Sequence, residues 1–263
     1  MITIAEKING SIPSVKKIIE TRNAEGLLML TMTQAHAGAD YVDVNVGTGE
    51  GNQQDEMEAM SWALTKIQEE SDVPISIDSA DPSVLRVGLE VRKDRPTLIN
   101  STKGTDDFLN VVVPLAKSYD KPLVGLAMDE EGIPKISTKR VDVCRKIHQC
   151  CIDHGLKPEN IFFDPLVLPI STDISQAKVT LDTIQGIKEA IPTAKTVLAV
   201  SNVSYCLPRR KVLNAAFLHM AILSGLDAAI LNVLDRDLMG AIKTAEAVVG
   251  RDRHCRKYTK FWR

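Results

Sequence analysis

The chain has 263 residues, 44% of them hydrophobic and 25% charged, so it can bury a sizeable core as one large domain or two small ones. Aromatic residues make up only 4%, and we therefore expect an aliphatic core. A formal net charge of −2 excludes a strongly basic nucleic-acid-binding protein, and no apolar run approaches the roughly 20 residues of a transmembrane helix. The first ten residues, MITIAEKING, lack the pattern of a secretory signal, so we expect a cytoplasmic protein that contacts neither nucleic acid nor membrane.

The five cysteines predict free thiols rather than a disulfide framework or a metal site. Their number is odd, no pair has the C-x-x-C spacing, and no second cluster of metal ligands accompanies them. Free thiols are typical of a reducing compartment. The cysteines are Cys144, Cys150, Cys151, Cys206 and Cys255.

Eight short apolar runs of strand type follow one another along the chain, with stretches of helical periodicity between them. Eight runs correspond to about 33 residues per strand–helix unit, which is typical of a (β/α)8 barrel. From the N-terminus, the predicted strands are Ile2–Ile8, Tyr41–Val46, Pro74–Ile77, Thr97–Ile99, Leu123–Met128, Ile161–Pro165, Thr196–Val200 and Ala228–Val233.

The stretches between these runs have the amphipathic pattern of helices that pack on a sheet. In the segment 56–69, apolar residues recur at positions 57, 60, 64 and 67, and polar or charged residues occupy most of the others. The predicted helices include Glu56–Glu69, Val141–His154, Ala177–Ala190 and Val212–Leu223.

Alternating strands and helices predict an α/β protein with a parallel sheet. Periodicity alone leaves open a closed (β/α)8 TIM barrel and a doubly wound open sheet. Eight units without a break in composition favour the barrel as a single domain. We assign residues 1–250 to the barrel and residues 251–263, with six Lys or Arg and one Asp, to a basic C-terminal tail. The tail is expected to be solvated or packed on the barrel, and the alternative is a contact with a partner or a second subunit.

The segment 47–51, with the sequence GTGEG, follows the second predicted strand. It is rich in glycine but lacks the helix-start pattern of a dinucleotide-binding motif. We therefore interpret it as a flexible loop at the rim rather than a phosphate site.

Polar residues stand at the ends of most predicted strands, where a TIM barrel carries its active site. Taken singly, such residues are common as helix caps and turn formers. Capping does not account for Asp or Asn at one strand end after another, so we expect these side chains to converge at one mouth. The segments are Glu6–Gly10, Asp43–Gly47, Asp78–Ser79, Asn100–Thr102, Asp164–Pro165 and Ser201–Ser204.

This set is rich in carboxylates and carboxamides and poor in nucleophiles and metal ligands. None of the five histidines lies at a predicted strand end, and neither a G-x-S-x-G segment nor a P-loop is present. A carboxylate accepts two parallel N–H bonds, and a carboxamide offers a donor and an acceptor in one plane. Pterins and purines present matching edges, so the set predicts recognition of a flat heterocycle.

Seven segments in chain order resemble the pterin-binding methyltransferases. These are the methyltetrahydrofolate:corrinoid methyltransferases, to which the folate domain of cobalamin-dependent methionine synthase is related. The resemblance extends from about Ile4 to about Ile242. The segments are Glu6–Gly10, Asp43–Gly47, Ser76–Ser79, Ile99–Thr102, Phe163–Leu166, Ser201–Ser204 and Gly225–Ala229.

The resemblance implies a homodimeric barrel, without a metal of its own, that moves a methyl group between N5 of tetrahydrofolate and the cobalt of a separate corrinoid protein. Tetrahydrofolate or 5-methyltetrahydrofolate is then a substrate, and the partner supplies the corrinoid cobalt. It implies catalytic roles for Asp78, Asp164 and Asn202, with Asn202 beside N5 and with Asp78, Asn100 and Asp164 around the pterin. Tyr205 departs from the Gln or Phe that the family leads us to expect. The further folate-site residues that it implies are Glu6, Asn9, Asp43, Asn45, Ser201, Ser204 and Arg210.

The chemistry of the reaction agrees with these residue types. A methyl group on a tertiary amine is a poor electrophile, so N5 needs a proton or a hydrogen bond that strengthens in the transition state. An asparagine donates such a bond without titrating, and the partner supplies the nucleophile. The same site can work in either direction, and the sequence leaves the physiological direction open.

Two other functions fit a pterin-binding barrel. Dihydropteroate synthase has the same fold, but it carries a Ser-Arg-Lys stretch after the seventh strand and an Arg-x-His near the last. Here those regions are Ser201–Ser204 and Ile230–Asp235, which match neither motif. A non-catalytic folate-binding barrel is the third possibility, and the intact polar strand ends count against it.

Overall fold

In the computed structural model, residues 1–263 form a closed barrel of eight parallel strands that follow one another in chain order. Each strand pairs with its neighbours in sequence, and the last strand pairs with the first to close the barrel. The predicted TIM barrel is confirmed. The strands are β1 (Ile2–Asn9), β2 (Tyr41–Asn45), β3 (Ile75–Asp78), β4 (Thr97–Lys103), β5 (Leu123–Leu126), β6 (Ile161–Asp164), β7 (Lys195–Ala199) and β8 (Ala228–Leu231).

The helices pack around the outside of the barrel, and each predicted helix is present with ends shifted by a few residues. No helix combines the length and apolarity needed to cross a membrane. All five cysteines are unpaired. The helices are α1 (Pro13–Glu20), α2 (Ala24–His36), α3 (Gln53–Glu70), α4 (Pro82–Val91), α5 (Asp106–Ser118), α6 (Ser137–Asp153), α7 (Gln176–Ala190), α8 (Arg210–Ser224), α9 (Arg236–Val248) and α10 (Arg256–Trp262).

The barrel interior has an apolar layer with a polar layer above it. Successive side chains of a strand point to opposite faces, so every second residue points inward. Two residues beyond the apolar layer, the inward positions of β1, β4 and β6 are Glu6, Asn100 and Asp164. The convergence of polar strand ends therefore follows from the period of two. The apolar layer consists of Ile4, Leu98, Val124, Phe162, Val197 and Ala228.

Two local predictions were wrong. Strand β4 continues through Lys103 instead of ending at Ile99, because Thr102 and Lys103 pair with Gly125 and Leu126 of β5. The glycine-rich loop at residues 47–51 was predicted to lack a helix start after it, but α3 begins directly at Gln53. Asn52 caps α3 in a reciprocal capping box with Asp55, in which each side chain accepts a backbone N–H of the other.

The C-terminal tail forms a short turn at Arg253–Cys255 and then α10, which packs against α9. The carboxylate of Asp252 accepts the backbone N–H groups of Lys257 and Tyr258, so it begins the helix. Phe261 lies against α9, while the basic side chains of the tail are exposed. The division of the chain at residue 250 stays a prediction.

The barrel rim depends on a close approach between Gly10 after β1 and Gly47 after β2. A Cβ atom at Gly10 would lie 2.6 Å from the carbonyl oxygen of Gly47, and the N–H of Gly10 bonds to the carbonyl of Asn45 at 2.9 Å. A methyl group therefore cannot enter without separating the two backbones.

We expect Gly10→Ala to lower the free energy of unfolding by about 1–3 kcal/mol, the usual cost of forcing atoms into packed space. Gly47→Ala is the matched control, because its Cβ would meet only side-chain atoms, the nearest at 3.3 Å. Urea denaturation of both variants checks the prediction. Equal losses in the two variants would contradict it.

Candidate active site

A cavity of about 540 Å³ opens at the carboxyl ends of the strands, and we refer to it as the mouth. It combines side chains from all eight strands with the segment that follows β7. Most of the residues predicted for the folate site line it. They are Glu6, Asn9, Asp43, Asp78, Asn100, Asp164, Ser201, Asn202 and Arg210.

The two remaining predicted residues lie behind the lining. Asn45 donates from Nδ2 to Oδ2 of Asp78 at 2.9 Å and accepts the N–H of Gly47 at 3.0 Å. Ser204 is fully buried, and its hydroxyl accepts the Nε–H of Arg210 at 3.1 Å. Both side chains are therefore placed to orient lining residues rather than to touch a ligand.

Asp43 and Asp78 form a coupled pair of carboxyl groups on neighbouring strands. Burial raises the pKa of Asp43 well above its usual range, and the negative charge of Asp78 adds to this effect. Burial also raises the pKa of Asp78, although the amide of Asn45 opposes it. Asn100 donates from Nδ2 to Oδ1 of Asp43 at 3.3 Å. The pair is therefore held in place by amide donors and resists full ionisation.

Asp164, at the end of β6, is 7% exposed and lies across the mouth from this pair. Burial raises its pKa to about 7. The backbone N–H of Leu166, which donates to Oδ1 at 2.7 Å, and the charge of Arg140 both oppose that rise. Its carboxyl group therefore changes charge near neutral pH.

An irregularity in β1 brings two consecutive charged side chains into the mouth. The pairing of β1 with β2 shifts register between Ala5 and Ile8, so both Glu6 and Lys7 line the cavity. The N–H of Lys7 donates to Oε1 of Gln34 at 2.8 Å. Lys7 was not predicted as a site residue, although two adjacent charges inside an apolar strand are a sign of such an irregularity.

Ser201, Asn202 and Arg210 belong to the segment after β7, which begins with a tight turn at Val200–Ser204. Arg210 donates from Nη2 to the carbonyl of Ser201 at 2.8 Å and so closes the turn. The hydroxyl of Ser201 donates to Glu6 at 3.3 Å. Asn202 is exposed to the mouth, and its carboxamide makes no hydrogen bond within the chain. Asn202 is therefore the amide of the mouth that is free to bond a ligand.

The mouth as a whole presents planar hydrogen-bonding groups rather than a nucleophile. Asp78 on β3, Asn100 on β4 and Asp164 on β6 form the floor of the mouth, and the free carboxamide of Asn202 stands on the β7 side. No group of three or more His, Cys, Asp or Glu side chains is placed to hold a metal ion. Such a site can bind and orient a flat heterocycle and stabilise charge on one of its ring atoms.

Known proteins are similar to this chain, one in sequence and two in fold. Over the whole of this chain and 96% of its own length, methylcorrinoid:tetrahydrofolate methyltransferase from Eubacterium limosum is 36% identical. Two solved dihydropteroate synthases share the fold at a TM-score of 0.73. The enzyme from Clostridium difficile, determined with pteroic acid, is 18% identical and aligns over 94% of this chain and 96% of its own. The Yersinia pestis enzyme, determined with a pterin–sulfa conjugate, is 13% identical and aligns over 95% of this chain and 94% of its own.

The sequence profile of the pterin-binding enzymes matches residues 9–232, which span the barrel from the end of β1 to just beyond β8. The matched range contains nearly all of the mouth described above. The chain therefore belongs to the family of pterin-binding enzymes.

Proposed function

We propose that the protein transfers a methyl group between the cobalt of a corrinoid protein and N5 of tetrahydrofolate. The observation that carries this proposal is the full-length similarity to a methylcorrinoid:tetrahydrofolate methyltransferase together with a mouth whose polar groups suit a pterin. The mouth offers no nucleophile in a catalytic arrangement, and this reaction requires none from the protein. In one direction, the lone pair of N5 attacks the methyl carbon, and the electron pair of the carbon–cobalt bond stays on cobalt, which leaves as Co(I). The proton that N5 carried is then released to water.

The roles proposed for the floor of the mouth follow from its donors and acceptors. Asp164 and Asp78 would accept N–H groups of the pterin, and the carboxamide of Asn100 would pair with a donor–acceptor edge. Their orientation is set before a ligand arrives, because Asn45 and Leu166 already bond to the two carboxyl groups. A site that pairs each polar edge discriminates against rings that leave its groups unpaired.

Asn202 is proposed to act at N5 itself. A carboxamide has an N–H donor, which stabilises negative charge on N5 when the methyl group leaves, and an oxygen, which accepts the N5 proton's hydrogen bond in the opposite direction. No bond within the chain opposes rotation of this group. One side chain can therefore serve both directions of transfer.

The methyl group must pass between two proteins, so the corrinoid partner would dock over the mouth. An anaerobic assay with free cobalamins tests the reaction without that partner. We expect tetrahydrofolate to convert methylcobalamin to cob(I)alamin, and methyltetrahydrofolate to do the reverse, in the presence of the protein. Absence of both conversions, together with absence of folate binding, would refute the proposal.

We infer that two copies of the chain associate through α8. Four exposed apolar residues, Val212, Ala216, Met220 and Leu223, recur at helical spacing on its outer face, which also carries His219. The exposed fractions reach 59% for Val212, 53% for Met220 and 73% for Leu223. An exposed apolar stripe of this kind is typical of an interaction surface.

The double variant Met220→Lys with Leu223→Lys should be monomeric, because two ammonium groups on this stripe cannot be desolvated. Sedimentation velocity of the variant and the unmodified protein measures the change. Val248→Lys is the matched control, since Val248 is 82% exposed on α9 and lies outside the stripe. An unmodified protein that sediments as a monomer would contradict the inference.

Asn202→Ala should lower kcat for methyl transfer about 100-fold or more, the usual effect of removing one hydrogen bond that acts in the transition state. The Kd for methyltetrahydrofolate should change only a few-fold, because the pterin floor is intact. Stopped-flow absorbance of cob(I)alamin and equilibrium binding measure the two quantities. Asn160→Ala, before β6 at the opposite end of the barrel, is the control. Unchanged turnover in the Asn202 variant would refute this role.

Binding of tetrahydrofolate should strengthen as pH rises through about 7. The pKa of Asp164 is raised from 3.8 to about 7, so its carboxyl group is protonated below this pH and becomes an acceptor above it. Asp164→Asn should remove this step and weaken binding at pH 8 roughly 10- to 100-fold, the usual worth of a hydrogen bond to a charged group. Titration calorimetry between pH 5.5 and 8.5 measures both profiles. A step of equal size in the two proteins would contradict the assignment.

A further inference from the structure

Two arginines of the chain are completely buried, and one of them lies behind the mouth. Arg140, at the start of α6, has no exposed surface. Its Nε donates to the carbonyl of Pro134 at 2.8 Å. Its Nη1 donates to the carbonyls of Pro165 and Leu166 at 2.9 and 2.7 Å, and its Nη2 donates to Oε1 of Gln176 at 2.7 Å. The guanidinium therefore joins α6, α7 and the segment that follows Asp164.

Two of the bonds of Arg140 end on Pro165 and Leu166, the residues that turn the chain after Asp164. Leu166 has a φ of +64°, in the left-handed region that a leucine rarely adopts. In that conformation its N–H points back to Oδ1 of Asp164 at 2.7 Å. The carbonyl of Leu166 is held from the other side by Arg140 and by the hydroxyl of Thr180, at 2.7 and 3.0 Å.

An unusual backbone conformation persists only where surrounding contacts hold it. Here Arg140 supplies two of those contacts, one to each residue after Asp164. Without the guanidinium, the carbonyls of Pro165 and Leu166 would be buried with fewer donors, and the peptide plane that contains the Leu166 N–H would lose the bond to its carbonyl, that of Pro165. The N–H that bonds to Asp164 would then be free to turn away.

The charged and titratable surroundings of Asp164 are simple. From α6, Arg140 and the thiol of Cys144 face it, and burial raises the pKa of Cys144 so that it stays neutral. The neighbouring strands β5 and β7 contribute Leu126 and Ala199 to the mouth, which carry no charge. From α7, the residues bonded to this cluster are neutral. The remaining ionisable groups of the cavity are Glu6, Lys7, Asp43, Asp78, Tyr205 and Arg210.

We propose that Arg140 is a positioning residue for Asp164. Arg140 holds the Pro165–Leu166 turn, so that the N–H of Leu166 fixes and stabilises the ionised carboxylate of Asp164. Arg140 touches no ligand, because it lies outside the lining of the mouth. Its effect on the pterin would pass entirely through Asp164. The part of the proposal that concerns the pterin rests on the proposed function, whereas the part that concerns Asp164 does not.

The direct test is the titration of Asp164 in the protein without ligand. Carboxyl 13C NMR of aspartate-labelled protein follows it, and the Asp164→Asn variant identifies its resonance. In Arg140→Met we expect the midpoint to rise by about one pH unit or more, a tenfold change in proton affinity, because the carboxylate loses a nearby positive charge and its N–H donor.

Arg92→Met is the matched control. Arg92 is the other completely buried arginine, and it bonds to the carbonyl of Val73 at 2.8 Å beneath the barrel, far from Asp164. This variant also removes a buried guanidinium, and we expect it to leave the Asp164 midpoint unmoved. An equal shift in both variants, or no shift in folded Arg140→Met, would overturn the proposal.

Milder substitutions keep the test decisive if Arg140→Met does not fold. Arg140→Lys keeps the charge but cannot bond both carbonyls and Gln176 at once, and Thr180→Val removes one bond to Leu166. Both should raise the midpoint by less than Arg140→Met, and unmoved midpoints in both would overturn the proposal. In the same variants, the pH-dependent step in tetrahydrofolate affinity should move from about pH 7 to higher pH. A shifted NMR midpoint without any folate binding would refute the proposed function and leave the role of Arg140 intact.

Discussion

The free-energy cost of removing carboxyl groups from water determines how the mouth of this barrel is built. The barrel places Asp43 and Asp164 in the mouth with 5% and 7% of their surfaces exposed, and Glu6 and Asp78 are partly buried beside them. An isolated buried carboxylate is costly unless it is hydrogen-bonded or protonated. The surrounding amides, the N–H of Leu166 and the raised pKa values are the compensations that the fold provides. Each of them also fixes the direction in which a carboxyl group points.

This arrangement explains why the mouth suits a rigid, flat ligand such as a pterin. Its polar groups are oriented by Asn45, Leu166 and Arg210 before any ligand binds, so little ordering remains to be done on binding. Asn202 differs from the rest because it is unbonded and exposed. A fixed floor and one free carboxamide are what a reaction requires when the protein must orient one substrate and receive the other from a partner.

The sequence predicts the parts of this structure that depend on local periodicity, and it misses the parts that depend on contacts between distant segments. The eight strand–helix units were enough to predict the barrel, and the polar residues at successive strand ends were enough to predict that Glu6, Asn100 and Asp164 meet at one mouth. Arg140 was missed because its partners lie 6 to 40 residues away, although a charged residue in line with Cys144 and Ile147 on a buried helix face is a detectable signal. The extension of β4 depends on pairing with β5, which no local pattern specifies. The Asn52–Asp55 capping box, by contrast, is a local pattern that the sequence carries at the start of α3.

A crystal structure of the protein with tetrahydrofolate tests the proposed binding site most directly, because the chain has other cavities about as large as the mouth. One of about 520 Å³ lies beside the glycine-rich loop at residues 47–51, and one of about 530 Å³ lies between α6 and α7. We expect the pterin ring in the mouth, bonded to Asp78, Asn100 and Asp164, with N5 facing Asn202. A ring bound beside the glycine-rich loop, or a mouth that stays empty at saturating tetrahydrofolate, would contradict it.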